Sequence, residues 1–172
     1  MQANSSDKTW LLKNPGHIAH VDLLLDTYPD ACVIQTHRDP VKATASLCSV
    51  LKQARSLFEG DKVDLPALGQ RELDYWSNAA ADAEQARKRA PKQFLDIVHG
   101  DFHKNPLAVV KHIYRYFGFE LTGDVEQAMN ERIERNPEGS HGTHVYSLEE
   151  FGLTESEIAE RYRHYCARYL KK

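Results

Sequence analysis

The chain has 172 residues, 41% of them hydrophobic and 27% charged, with 22 Lys and Arg against 25 Asp and Glu for a formal net charge of −3. That length suits one domain with a real core. The two signs of charge are interspersed, without the one-signed run of a nucleic-acid or membrane-surface binder, and no apolar run approaches the ~20 residues of a membrane span. Residues 1–9 are polar and show no signal-peptide pattern, and the three widely spaced cysteines (Cys32, Cys48, Cys166) read as small buried hydrophobes in the cytoplasm, not as disulfide or zinc partners.

After a loose leader, the apolar stretch Thr9 to Lys13, bounded by Asn14-Pro15-Gly16, predicts a first strand ending in a turn. Ile18, Val21, Leu24 and Leu25 recur at helical spacing up to Pro29. A second strand is expected over Ala31 to Gln35. Asp39-Pro40 then opens a long helix to about Phe58, with Asp39 as cap and Pro40 at the first helical position, where its missing N–H costs nothing. A loop from Glu59 to Pro66 leads into a helix from Leu68 to Ala90, and Phe94 to Val98 is the third expected strand. Asn105-Pro106 repeats the cap-plus-proline start of a helix that Gly118 ends. Another helix is expected from Thr122 to Arg135, then a Gly/Ser/His-rich loop to Ser147. Thr154-x-x-Glu157 is a capping-box start for a last helix through Tyr162, Tyr165 and Tyr169. Strands separated by helices imply a parallel α/β sheet in a single domain, residues 1–172.

In an open parallel sheet, ligands sit beyond the carboxyl ends of the strands, so the residues after each strand carry the functional reading. The Thr36-His37-Arg38-Asp39-Pro40 turn is the most informative. Arg38 precedes a helix N-terminus, where free N–H groups and the helix dipole favour an anion. Ser46 lies eight residues on, along the same helix. Arg38 can fork onto two phosphate oxygens while the Ser46 hydroxyl donates to a third; the competing reading is a surface ion pair beside an incidental helical serine.

The segment Trp10-Leu-Leu-Lys13-x-Pro15-x-His17, followed by a helix and Pro29-Asp-Ala-x-x-Ile-x-Thr-His-Arg-Asp-Pro40, resembles the sulfotransferases that use 3′-phosphoadenosine 5′-phosphosulfate (PAPS). Phe94 to Leu121 is similar to that family's strand, acidic turn and Asn-Pro helix, and His144 to Leu153 to its C-terminal loop. The resemblance implies a P-loop-NTPase-like α/β fold, sulfuryl transfer to a hydroxyl or amine on a small-molecule or carbohydrate acceptor, and no metal. It assigns Arg38 and Ser46 to the cofactor's 3′-phosphate, Lys13 to the charge on the transferring sulfuryl group, and His17 to the role of general base, which a neutral imidazole suits. It places His99 where relatives often carry an adenine-contacting aromatic, with Asp101 as the acidic turn residue. Gly142, Thr143 and His144 fall where the family has a basic loop on the 3′-phosphate, Thr143 replacing a cation. Tyr75 and Trp76, on the helix after loop 59–66, are candidates to line the acceptor cleft, although aromatics on a helix are more often core.

The Gly-rich loop with Lys, Ser and Thr that cradles the 5′-phosphosulfate in that family has no counterpart in this sequence. The expectation is therefore a sheet truncated on its N-terminal side, and a protein catalytically incomplete alone that associates with a complementing chain or with itself. The alternatives are a non-catalytic 3′-phosphoadenosine binder and a structural remnant of the fold.

Overall fold

The computed structural model describes residues 9–136 and 147–170. Two strands form the sheet among these residues. The β-branched run Val33–His37 (β1) pairs in parallel with Phe94–Val98 (β2), in a register that sets Val33 opposite Phe94, Gln35 opposite Asp96 and His37 opposite Val98. Two long helices, Pro40–Glu59 (which we number α2) and Leu65–Ala86 (α3), join the strands; they follow a shorter helix, Val21–Thr27 (α1). After β2 come His99–Lys104 (α4), Pro106–Phe117 (α5), Gly123–Arg135 (α6), Glu155–Arg161 (α7) and Arg163–Tyr169 (α8).

The punctuation residues act as their chemistry requires. Asp39 Oδ1 accepts from the Val41 N–H at 2.9 Å, Asn105 Oδ1 from Ala108 at 3.0 Å, and Thr154 Oγ1 from Glu157 at 3.2 Å, each filling a donor that the first helical turn leaves open. Gly118 ends α5 at φ 73°, a left-handed conformation that glycine adopts without a Cβ penalty.

Helix α3 organises the core. Its first half joins α2 and the 148–158 segment in a cluster of Cys48, Leu68, Leu73, Phe151, Leu153 and Ile158, each at most 1% exposed. Its second half brings Ala83 against Val21, Leu25 and Phe94. Cys48 is a buried hydrophobe as expected, and burial pushes its thiol up to about 11. Cys32 is exposed, contrary to expectation.

Several sequence-based boundaries change, among them α3, expected over Leu68 to Ala90 and found over Leu65–Ala86. Residues 9–14 form no strand: Trp10, Leu11 and Leu12 are 46%, 89% and 61% exposed, and among the described residues no strand lies alongside to take their backbone hydrogen bonds. A 3-10 turn, Pro15–His20, follows instead and packs on α3. Strand β1 begins and ends two residues later than expected, so Thr36 and His37 belong to the strand and only Arg38 and Asp39 make the turn. The final helix is broken at Tyr162 into α7 and α8.

Candidate functional site

The Arg38-Asp39 turn lies at the carboxyl end of β1, as the sheet rule expects. Arg38 is exposed, and Ser46 is half-buried on α2, six residues past its first, or roughly 9 Å along the axis. The turn has few spare amides. Pro40 lacks an N–H, Val41 donates to the Asp39 carboxylate, and Ala43 donates to the Asp39 carbonyl at 2.9 Å. An anion here would be held by the Arg38 guanidinium more than by the helix terminus. Lys13 is exposed in the irregular segment before the 3-10 turn. His17 is exposed within that turn, where Asn14 Oδ1 accepts from Gly16 at 2.9 Å. The expected site residues thus come from separate elements: the leading segment, the turn on α3, and the β1–α2 junction. Gly142, Thr143 and His144 lie outside the described residues.

His99 opens α4, with its Nε2 3.0 Å from that of His103. Asp101 sits exposed in the first turn of α4, 3.9 Å from Lys104 Nζ. Tyr75 is 47% exposed, whereas Trp76 donates its indole N–H to Glu72 at 3.1 Å. A cleft of about 470 Å³ runs along β2 and α5, lined by Asp96, Asp101, Lys104, Asn105 and His112 among others.

Behind Arg38 stands a polar cluster that sequence reading did not find. His37, the last residue of β1, is 1% exposed. Its Nε2 lies 2.8 Å from Asp96 Oδ1 and its Nδ1 3.0 Å from the Tyr165 hydroxyl, and its ring stacks on Tyr169 at 4.0 Å and 10°. Arg87, 6% exposed at the end of α3, forks onto both Asp96 oxygens at 2.8 Å and also donates to Gln35 Oε1 and the Tyr169 hydroxyl at 2.9 Å. Tyr169 donates in turn to Glu84, which pairs with Arg168 at 2.6 Å. Signals were present in the sequence: Gln35 and His37 alternate on one strand face, Asp96 interrupts an apolar strand, and Tyr165 and Tyr169 are one helical turn apart.

The proton positions follow from the chemistry. Burial would raise the Asp96 carboxyl, but hydrogen bonds from Arg87 and His37 hold it below its ordinary value, so it accepts only. His37 Nε2 therefore carries the hydrogen. Burial pushes the Tyr165 hydroxyl up to about 12, so it stays protonated and donates to Nδ1 of a neutral imidazole. Burial likewise drives the His37 imidazole below 6.5, with Arg87 acting in the same sense and Asp96 and Glu84 opposing. Because the unfolded chain then binds the extra proton, stability falls as pH drops below about 6.5, with a slope of at most ~1.4 kcal/mol per pH unit, and levels off below the folded value. Denaturant titrations between pH 7.5 and 5 should show this slope in the wild type and lose it in His37→Gln; equal slopes would refute it. The groups facing the imidazole are Asp96, Arg87, Glu84, Tyr165 and Tyr169.

Comparison with known proteins bears on the family and the fold. The sulfotransferase family model matches residues 1–123. The chain superposes on sulfotransferase STF9 from Mycobacterium avium with a TM-score of 0.87 at 28% identity, and on sulfotransferase STF1 from Mycobacterium tuberculosis H37Rv with a TM-score of 0.80 at 36% identity. Each alignment covers 95% of this chain and 42% of the other, so the chain spans less than half the length of either neighbour. No curated protein gave a match. The chain belongs to the sulfotransferase family, and its fold is the α/β sulfotransferase fold.

Proposed function

We propose that this protein serves sulfuryl transfer from PAPS to a hydroxyl or amine acceptor, a small molecule or carbohydrate, with its single domain in the cytoplasm. Arg38 and Ser46 bind the 3′-phosphate, with Gly142, Thr143 and His144 as a second contact. The acceptor oxygen or nitrogen attacks sulfur as the bond from sulfur to the bridging phosphate oxygen breaks, and adenosine 3′,5′-bisphosphate leaves. His17 takes the acceptor's proton, and the Lys13 ammonium offsets charge on the transferring group. The observation that carries the reading is the exposed Arg38 at the carboxyl end of β1, opening onto α2 in a chain of this family.

The 172 residues contain no Gly-rich loop with Lys and Ser or Thr. Positioning and electrostatic stabilisation at the sulfuryl group supply much of such a rate. These 172 residues by themselves are therefore expected to bind the nucleotide and to transfer slowly. Titration calorimetry with adenosine 3′,5′-bisphosphate should show binding that Arg38→Ala weakens about 10- to 150-fold, the equivalent of one or two charge-assisted hydrogen bonds. Adenosine 5′-monophosphate, lacking the 3′-phosphate, should show no such loss. Equal affinity of wild type and Arg38→Ala would overturn the phosphate assignment.

A further inference from the structure

We propose that His37 is a positioning residue for Arg38: its buried ring, gripped from β2 and from α8, fixes the strand end from which the guanidinium reaches the 3′-phosphate. The inference rests on the phosphate reading above. It is carried by the way the chain is held on both sides of Arg38. On the β1 side, His37 is the last strand residue and pairs in register with Val98. Its ring is 1% exposed, with Asp96 Oδ1 2.8 Å from Nε2, the Tyr165 hydroxyl 3.0 Å from Nδ1 and Tyr169 stacked on its face at 4.0 Å. On the α2 side, the Asp39 carboxylate accepts from Val41 and the Asp39 carbonyl from Ala43, both at 2.9 Å. Arg38 is the single residue between these two anchors, and it is exposed.

A one-residue link between two fixed ends has little room to turn, so the Arg38 side chain leaves the backbone in a set direction and loses less freedom when it meets the phosphate. Histidine suits the position because its two ring nitrogens do opposite work. Nε2–H donates to a carboxylate while Nδ1 accepts from a phenol, and the flat ring between them stacks. Asp96 is itself held, since Arg87 forks onto both of its oxygens at 2.8 Å. Leucine would fill much of the space with neither hydrogen bond. Glutamine carries one amide donor and one carbonyl acceptor, and so can replace both. The Tyr165 ring is packed by Tyr162 at 5.8 Å and Tyr169 at 5.2 Å, contacts that phenylalanine would keep.

The test compares His37→Leu, His37→Gln and Tyr165→Phe, each well below its melting temperature, by two readouts. In calorimetry His37→Leu should bind adenosine 3′,5′-bisphosphate about five- to tenfold more weakly and adenosine 5′-monophosphate as wild type does, because only the 3′-phosphate meets Arg38. The NMR order parameter of the Arg38 amide should fall in the same variant from the rigid value of about 0.85 toward about 0.6. His37→Gln should recover most of both, which a role in filling space would not produce. Tyr165→Phe, which deletes one of the two hydrogen bonds, should lose about two- to fivefold in bisphosphate affinity, and it decides alone if His37→Leu does not fold. Wild-type bisphosphate affinity in Tyr165→Phe and in any folded His37→Leu, an equal loss for the monophosphate, or a His37→Gln as weak as His37→Leu would each overturn the positioning role while the phosphate site stands. Arg38→Ala at wild-type bisphosphate affinity would instead overturn the phosphate reading and this inference with it, whatever the order parameter shows.

Discussion

Gly69→Ala is expected to destabilise the protein by about 2–4 kcal/mol, a fall in melting temperature of roughly 5–12 °C. In an ordinary helix interior the same change gains about 1 kcal/mol, since glycine is the poorer helix former. Here a Cβ would stand 2.2 Å from the Phe151 carbonyl oxygen, 2.9 Å from the Phe151 Cβ and 3.1 Å from its carbonyl carbon. The nearest atom is backbone, so no rotamer change relieves the clash. The Glu149–Phe151 turn would have to withdraw from α3, and Phe151, Leu153 and Ile158, each at most 1% exposed, would lose close packing with it. Gly123, at the start of α6, has nothing within 4 Å of the same added atom, so Gly123→Ala should be neutral or slightly stabilising. Thermal denaturation of the two variants beside wild type decides the matter, and an unchanged melting temperature in Gly69→Ala would show that this close approach is not rigid.

Asp96→Ala should cost a similar amount, about 2–4 kcal/mol, by a different mechanism. It strips the fork from the Arg87 guanidinium, whose side chain is 8% exposed, and leaves the His37 Nε2–H without its acceptor in a ring that is 1% exposed. Removing one partner of a fully buried pair typically costs about 3–5 kcal/mol. The Asp96 side chain is 38% exposed toward the cleft beside β2, so water can replace part of what is lost, and the expected cost is lowered for that reason. Arg168→Ala removes a 2.6 Å pair whose arginine is 57% exposed, and should cost less than about 1 kcal/mol. Combining Asp96→Ala with Arg87→Met should lose less than the sum of the single changes, because the double variant buries no unpaired charge. Strict additivity in urea denaturation would mean that Arg87 and Asp96 do not act as a pair.

The local elements were legible because their signals are local. Phe94–Val98 was read to the residue from a short apolar run bounded by turn-formers, and the caps at Asp39, Asn105 and Thr154 follow from side chains that reach amides two or three residues ahead. The apolar run at 9–13 carries the same signal as a strand, but a strand exists only when a neighbour takes its hydrogen bonds. The same limit moved β1. Thr36 and His37 read as turn residues because they are polar, yet pairing with Ile97 and Val98 extends the strand through them.

By itself the sequence determined the α/β class, the family, and Arg38 at a strand-to-helix turn, since each depends on residue types at short, fixed spacings. Only the tertiary structure decided what stands behind that turn. His37 and Tyr165 are 128 residues apart, and Arg87 and Tyr169 are 82 apart; no periodicity or cap links them. They meet because α3 and α8 both pack at the end of β1, where a histidine, an aspartate and an arginine can be buried together only if each supplies the partner that the others would otherwise lack.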